Sequence, residues 1–302
     1  MPLTVHNVTK TFGPKTAVDD LSFEILAPGV FGLLGTNGAG KTTTFRMILG
    51  IMRPDSGEIL WNGKSVRRHA RFGYMPEERG IYAKIRVIDQ LSYFGQLRGM
   101  DGKAALDAAN RWLARLGVTE YTNTLAEKLS KGNQQKIQLI AALIHDPELI
   151  FLDEPFSGLD PINTDVFKSV IAELIAGGRT IVMSAHQMAT VEEYCQNILI
   201  LDRGKTVLRG NLREIKGGYG HTNLSLICAP DFVDQALALA EANGLHLLER
   251  QAELCEFAIT GDSMAQSFLR ALLGADIYPE RFEIREPSLH EIFIEKVGAS
   301  NE

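Results

Sequence analysis

The sequence predicts an α/β fold over residues 1 to about 217, followed by a smaller α+β domain from 218 to 302. Three observations carry this expectation. Short apolar runs alternate with helical patterns over the first part, as in a parallel sheet covered on both faces. A glycine-rich stretch follows one of those runs and opens a helix. Beyond "REIKGGYGHTN", whose Gly217, Gly218 and Gly220 read as a linker, the rhythm becomes strand, helix, strand, strand, helix, strand. At 302 residues the chain has room for one large domain or two ordinary ones, and its 45% apolar and 23% charged residues suit a globular protein.

Taken in chain order, the buried-strand candidates are "VFGLL" (30–34), "LIFL" (149–152), "TIVMS" (180–184) and "ILIL" (198–201). Between 86 and 146 helical spacing takes over. "RVIDQLSYFGQLRG" and "KAALDAANRWLARLG" each repeat apolar residues at that spacing and end at glycine, which predicts a helical subdomain inserted into the α/β core. In the second domain "NLSLICA" reads as strand and "DFVDQALALAEANG" as helix. "HLLER" and "LCEFAIT" read as a strand pair, "SMAQSFLRALLG" as helix and "RFEIRE" as the last strand. That order is the order of a ferredoxin-like unit. A final helix, "SLHEIFIEKVG", puts Leu289, Ile292 and Phe293 on one face. His221, His246 and His290 stand isolated and read as structural or solvated, so no catalytic constellation is expected here.

A formal net charge of −6 argues against a nucleic-acid binder, which would carry an excess of Lys and Arg. Cys195, Cys228 and Cys255 form no CxxC pair, and such a scattered set suggests reduced, buried thiols. The N-terminus lacks a charged-then-apolar signal pattern, and no apolar run approaches the ~20 residues that span a bilayer. The expectation is a cytoplasmic protein that does not itself cross a membrane.

Gly35-Thr36-Asn37-Gly38-Ala39-Gly40-Lys41-Thr42 matches G-x-x-x-x-G-K-[ST], and Thr43 follows. Glycines let backbone N–H groups turn in around phosphates, Lys41 reaches the β and γ oxygens, and the Thr42 hydroxyl binds Mg²⁺. An apolar strand precedes this loop, and "KTTTFRMILG" follows as a helix whose N-terminus faces the anion. "LIFLDEP" (149–155) ends a strand in two carboxylates. Ligands of open α/β sheets sit at the carboxyl ends of strands, which points Asp153 and Glu154 toward Lys41. Asp153 suits Mg²⁺ coordination through water, and Glu154 suits positioning or deprotonating the attacking water. His186 follows the strand "TIVMS" and could reach a γ-phosphate, holding the water and Glu154 in register.

These residues carry a resemblance. The set "GTNGAGKT", "LIFLDE", "SGLD" (157–160), His186 and "LSKGN" (129–133) resembles the ATP-binding subunits of ABC transporters over residues 1 to about 217. The implied fold is a P-loop ABC-type nucleotide-binding domain, and the implied activity is a Mg²⁺-dependent ATPase. Phe12, which taken alone reads as a packed strand residue, falls where the family stacks an aromatic ring on adenine. In the family "LSKGN" caps the ATP of a second copy through Ser130 and Gly132. The resemblance therefore implies a homodimer or heterodimer of nucleotide domains closing head-to-tail on two ATP molecules.

Two departures stand out. Lys131 and Asn133 replace the Gly and Gln of the usual signature. In "GYMPEERGIY" (73–82) Glu77 stands where the family usually has Gln; Gln90, the next Gln, lies in a predicted helix and is a poor substitute. Glu77 is read as a Mg²⁺ ligand, the alternative being a solvated carboxylate with water completing the metal shell. "PEERGIYAKIRV" and "EPSLHEIFIEKVG" resemble two-component exporters of the ABC-2 type, including sodium-export ATPases. With no membrane span here, the implied partner is an integral-membrane permease on a separate chain, and the subunit would sit at the inner face of the membrane. The alternative is a soluble ABC ATPase that acts as a regulator or on a non-membrane partner.

Overall fold

The computed structural model describes residues 2–66, 72–77, 80–185 and 188–298. It divides into two compact units, Met1–Arg209 and Gly210–Glu302.

The first unit holds two sheets. One is antiparallel, in the order β2 (Lys15–Ile25), β1 (Leu3–Phe12), β4 (Ser56–Trp61), β5 (Lys64–Ser65). The other has six strands, in the order β10 (Lys205–Asn211), β9 (Asn197–Asp202), β3 (Gly29–Gly35), β8 (Thr180–Ala185), β7 (Leu149–Asp153), β6 (Phe72–Met75). From β9 to β6 every neighbour is parallel. β3, β7 and β8 are buried at every residue, which is why each is a short apolar run. β1, β2 and β4 mix buried with exposed residues, so a search for unbroken apolar runs passes over them.

One apolar core serves both sheets. Phe23 of β2 stacks on Phe31 of β3 with ring centroids 5.2 Å apart. Phe45, from the helix α1 (Lys41–Ile48), sets its ring edge against Phe151 of β7 at 5.4 Å. Burial of Phe45, Met47 and Ile48 seats α1 on the sheet. A buried Phe is worth roughly 1.5–3 kcal/mol of transfer free energy. Between 86 and 146 the chain forms α2 (Val87–Leu97), α3 (Gly102–Arg115) and α4 (Lys131–Leu143), and no named strand among the described residues. Asp101 caps α3 by accepting from the N–H groups of Lys103 and Ala104, and Ser130 caps α4 by accepting from Asn133 at 3.3 Å.

In the second unit the sheet order is β12 (His246–Gln251), β13 (Leu254–Ala258), β11 (Asn223–Ile227), β14 (Arg281–Arg285), antiparallel throughout. Two helices, Val233–Ala242 and Asp262–Gly274, complete a βαββαβ unit of ferredoxin-like order. The stretch expected as a linker is helical from Leu212 to Tyr219. Asn211 caps that helix, and Gly220, at φ 67°, ends it. Glycines in a last turn therefore act here as a helix stop.

Arg285 ties the final helix, Leu289–Gly298, to this sheet by donating to Glu291 at 2.8 Å and to Glu256. Burial alone would raise the Glu291 carboxyl, but Arg285 and Ser288 outweigh it and hold the pKa at about 2. The folded value lies below the unfolded one. Its stabilisation is therefore complete above about pH 4.5 and lost as pH falls toward about 2. Thermal melting of the full chain should show that acid loss, and Arg285→Ala should flatten it while lowering stability near neutral pH by about 1–3 kcal/mol.

Candidate functional site

The strand order β3-β8-β7 lays the loops after three parallel strands side by side at their carboxyl ends. The first is the loop from Gly35 to Thr42. Gly35 (φ 152°) and Gly40 (φ 110°) lie where a Cβ would come within 2.4 Å of the Leu201 carbonyl and 2.5 Å of the Ala17 carbonyl. Only glycine lets the backbone turn that close to β9 and β2. The Lys41 ammonium is buried and donates to the carbonyls of Gly35 at 2.7 Å and Thr36 at 3.4 Å. A desolvated cation thus lies across the loop at a helix N-terminus, a setting that favours an anion.

Asp153 ends β7. One carboxylate oxygen accepts from Ser184 Oγ at 2.6 Å, and the other faces Thr42 Oγ1 at 3.5 Å. Burial raises the Asp153 pKa; the Ser184 hydrogen bond, the Lys41 charge, the Thr42 hydroxyl and the Arg46 charge oppose it. Glu154 is buried and sits at φ 52°, a left-handed conformation that is costly for a non-glycine residue. Its N–H donates to Ser184 Oγ at 3.0 Å. The Tyr74 hydroxyl, on β6, is pushed up to about 12, first by burial and then by the Asp153 charge. Ser184 and Tyr74 were not legible as site residues in the sequence. The only signal was a serine and a tyrosine near the carboxyl ends of apolar strands.

The structure thus brings the Gly35–Thr42 loop, Asp153 and Glu154 together, with Thr43 following in α1. A hydroxyl and a carboxylate facing each other are hard oxygen donors that fit Mg²⁺. Phe12 lies at the end of β1 and is 47% exposed, with the Lys10 ammonium 5.7 Å from its ring centroid. The ring is open to a stacking partner and is no packed strand residue. Glu77 is exposed just after β6. Gln90 is buried, and its amide is occupied by the backbone of Tyr82 and Ile85, which leaves it no part in the site. His186 lies outside the described residues; Ala185, before it, ends β8.

Ser130 and Gly132 stand elsewhere, in the first turn of α4. No hydrogen bond among the described residues joins them to the phosphate loop. They belong with the loop before the helix α5 (Pro161–Ala176). Gln135 donates to the Ser157 carbonyl at 2.8 Å. A Cβ on Gly132 would meet Asn163 Nδ2 at 2.6 Å, and one on Gly158 would meet Lys131 Nζ at 2.6 Å.

A glycine loop opening a helix, its lysine, and a carboxylate pair at the end of β7, the next strand but one in the sheet, define a P-loop nucleotide-binding fold. The sequence profile of the "ABC transporter" family matches residues 18–157, and that of the "ATP-binding protein DrrA1-3-like, C-terminal domain" matches 210–297. An ABC transporter ATP-binding protein of Bacillus subtilis, YhaQ, is 46% identical over 98% of this chain and 99% of its own. The daunorubicin resistance ATP-binding protein DrrA3 of Streptomyces coeruleorubidus is 29% identical over 98% of this chain and 96% of its own. A solved ATP-binding subunit of an ABC transporter superposes with a TM-score of 0.67 at 28% identity, covering 72% of this chain and 93% of that one. The chain belongs to the ABC transporter ATP-binding proteins, with the DrrA-like C-terminal domain of the ABC-2 type exporter ATPases. It is a P-loop ATPase, and such domains act as dimers with membrane components in transporters. No helix among the described residues is long and apolar enough to cross a membrane.

Proposed function

We propose that this subunit powers export through a permease on a separate chain, working at the inner face of the membrane, with ATP closing two nucleotide domains head-to-tail. The observation that carries the reading is the division of the site. The phosphate loop, Thr42, Asp153 and Glu154 converge at the carboxyl ends of the parallel strands, while Ser130 and Gly132 sit at the start of α4, with no hydrogen bond to that loop among the described residues. An anion-binding helix start apart from its own phosphate loop suits the ATP of a second copy. Thr42, Asp153 through water, and Glu77 would hold Mg²⁺, which neutralises phosphate charge when bound. Lys41 and the loop N–H groups hold the phosphates, Phe12 stacks on the base, and Glu154 with His186 positions the attacking water.

A membrane partner is supported by exposed apolar side chains on α2 and on the segment that leads into it. Tyr82, Tyr93 and Leu97 are each at least half exposed, and Tyr82 stacks on Phe94 with centroids 5.8 Å apart. Such a patch marks a contact surface. DrrA3 is named for daunorubicin resistance, which agrees with an outward direction of transport. A tagged pull-down from detergent-solubilised membranes should recover a multi-span protein, and Tyr82→Ser with Tyr93→Ser should lose it. Recovery of soluble partners alone would leave the ATPase standing and overturn the transport role.

A further inference from the structure

Ser184 is the one polar side chain in the otherwise apolar run Ile181–Ala185 of β8, and it is wholly buried. A hydroxyl placed there costs free energy unless its donor and acceptor are both used. Both are. It donates to Asp153 Oδ1 at 2.6 Å and accepts from the Glu154 N–H at 3.0 Å. The parallel register Asp153↔Ser184 brings the three groups level across the two strands.

Each bond has a consequence for the chemistry. The first occupies one Asp153 oxygen, so the other is left facing Thr42 Oγ1. The second anchors Glu154 at its left-handed φ of 52°, where the chain turns away from β7 and the Ser157 N–H reaches the Glu154 carbonyl at 3.1 Å. Alanine would leave a buried N–H and a buried carboxylate oxygen each one partner short. Valine or isoleucine, which continue the apolar pattern, would do the same and add bulk.

We infer that Ser184 is a positioning residue of the ATPase reaction. Its hydroxyl locks Asp153 and Glu154 to each other, choosing the Asp153 oxygen that faces the metal side and the turn that aims Glu154. The inference rests on the reading of those two residues as the metal-side and water-side carboxylates.

The test compares Ser184→Ala, Ser184→Thr and Asp153→Asn in the full chain, with Mg²⁺ titrations of a fluorescent ATP analogue, ATP turnover and thermal melting. For Ser184→Ala, turnover should fall about ten- to a hundredfold, the equivalent of one hydrogen bond to a charged group. The Mg²⁺ concentration for half-maximal analogue binding should rise by a similar factor, while binding without Mg²⁺ stays as in the wild type. Ser184→Thr keeps the hydroxyl and should recover most of both losses. Unchanged Mg²⁺ half-saturation and turnover in Ser184→Ala would overturn the inference, as would a folded Ser184→Thr no better than Ser184→Ala. If Asp153→Asn loses its Mg²⁺ response while Ser184→Ala keeps it, only the role of Ser184 falls. If both keep it, the reading of Asp153 falls as well.

Discussion

Glu154→Gln should cut ATP turnover by about a hundred- to ten-thousandfold, the usual contribution of a positioned general base. The substitution keeps the size of the side chain and the N–H that donates to Ser184, so the left-handed turn at φ 52° should persist. ATP binding, carried by the loop and Lys41, should survive. On the proposed head-to-tail mechanism the variant should then run as a stable dimer with Mg-ATP in size-exclusion chromatography, because the phosphate that would join the two domains is no longer removed. A variant that stays monomeric under those conditions sinks the head-to-tail mechanism. Retained turnover would remove Glu154 from the water-side role.

Gly40→Ala should abolish nucleotide binding at micromolar ATP. The added Cβ would lie 2.5 Å from the Ala17 carbonyl, and the backbone is held at φ 110°, where an L side chain is strained. Overpacking costs about 1–3 kcal/mol and an unfavourable left-handed backbone roughly 1–2 kcal/mol more. The chain can relieve both only by pulling the loop off β2, which moves the N-terminus of α1 and Lys41 with it. Gly38→Ala is the informative comparison. Gly38 also has positive φ, at 80°, but a Cβ there meets nothing within 4 Å. It should weaken ATP binding far less, as measured by calorimetric titration. Equal losses at both positions would assign the effect to backbone conformation alone.

Much of this molecule is written locally. A phosphate loop needs its glycines, lysine and threonine within eight residues, since one turn must wrap one anion, and so it can be read from the sequence. The wholly buried strands β3, β7 and β8, and β9 beyond its exposed first residue, were legible for a similar reason: burial on both faces leaves an unbroken apolar run. The βαββαβ rhythm of the second unit was legible because its turns interrupt the apolar periods. β1, β2 and β4 escaped because their side chains alternate between a buried and an open face. The Leu212–Tyr219 helix escaped because its glycines resemble those of a linker.

The chemistry of the site follows the same division. The amino-acid order alone named the candidate groups for phosphate and metal, since those groups lie in short motifs whose spacing carries the chemistry. Which groups meet was settled by strand order. β8 lies between β3 and β7 although it follows both in the chain, and that insertion carries Ser184 up to Asp153 across 31 positions of sequence. Gln90 makes the same point in reverse: its amide is spent on the backbone at its own helix start. Local motifs encode what a side chain can do, whereas the partner it does it with depends on packing between residues far apart in the chain, which no short stretch of sequence contains.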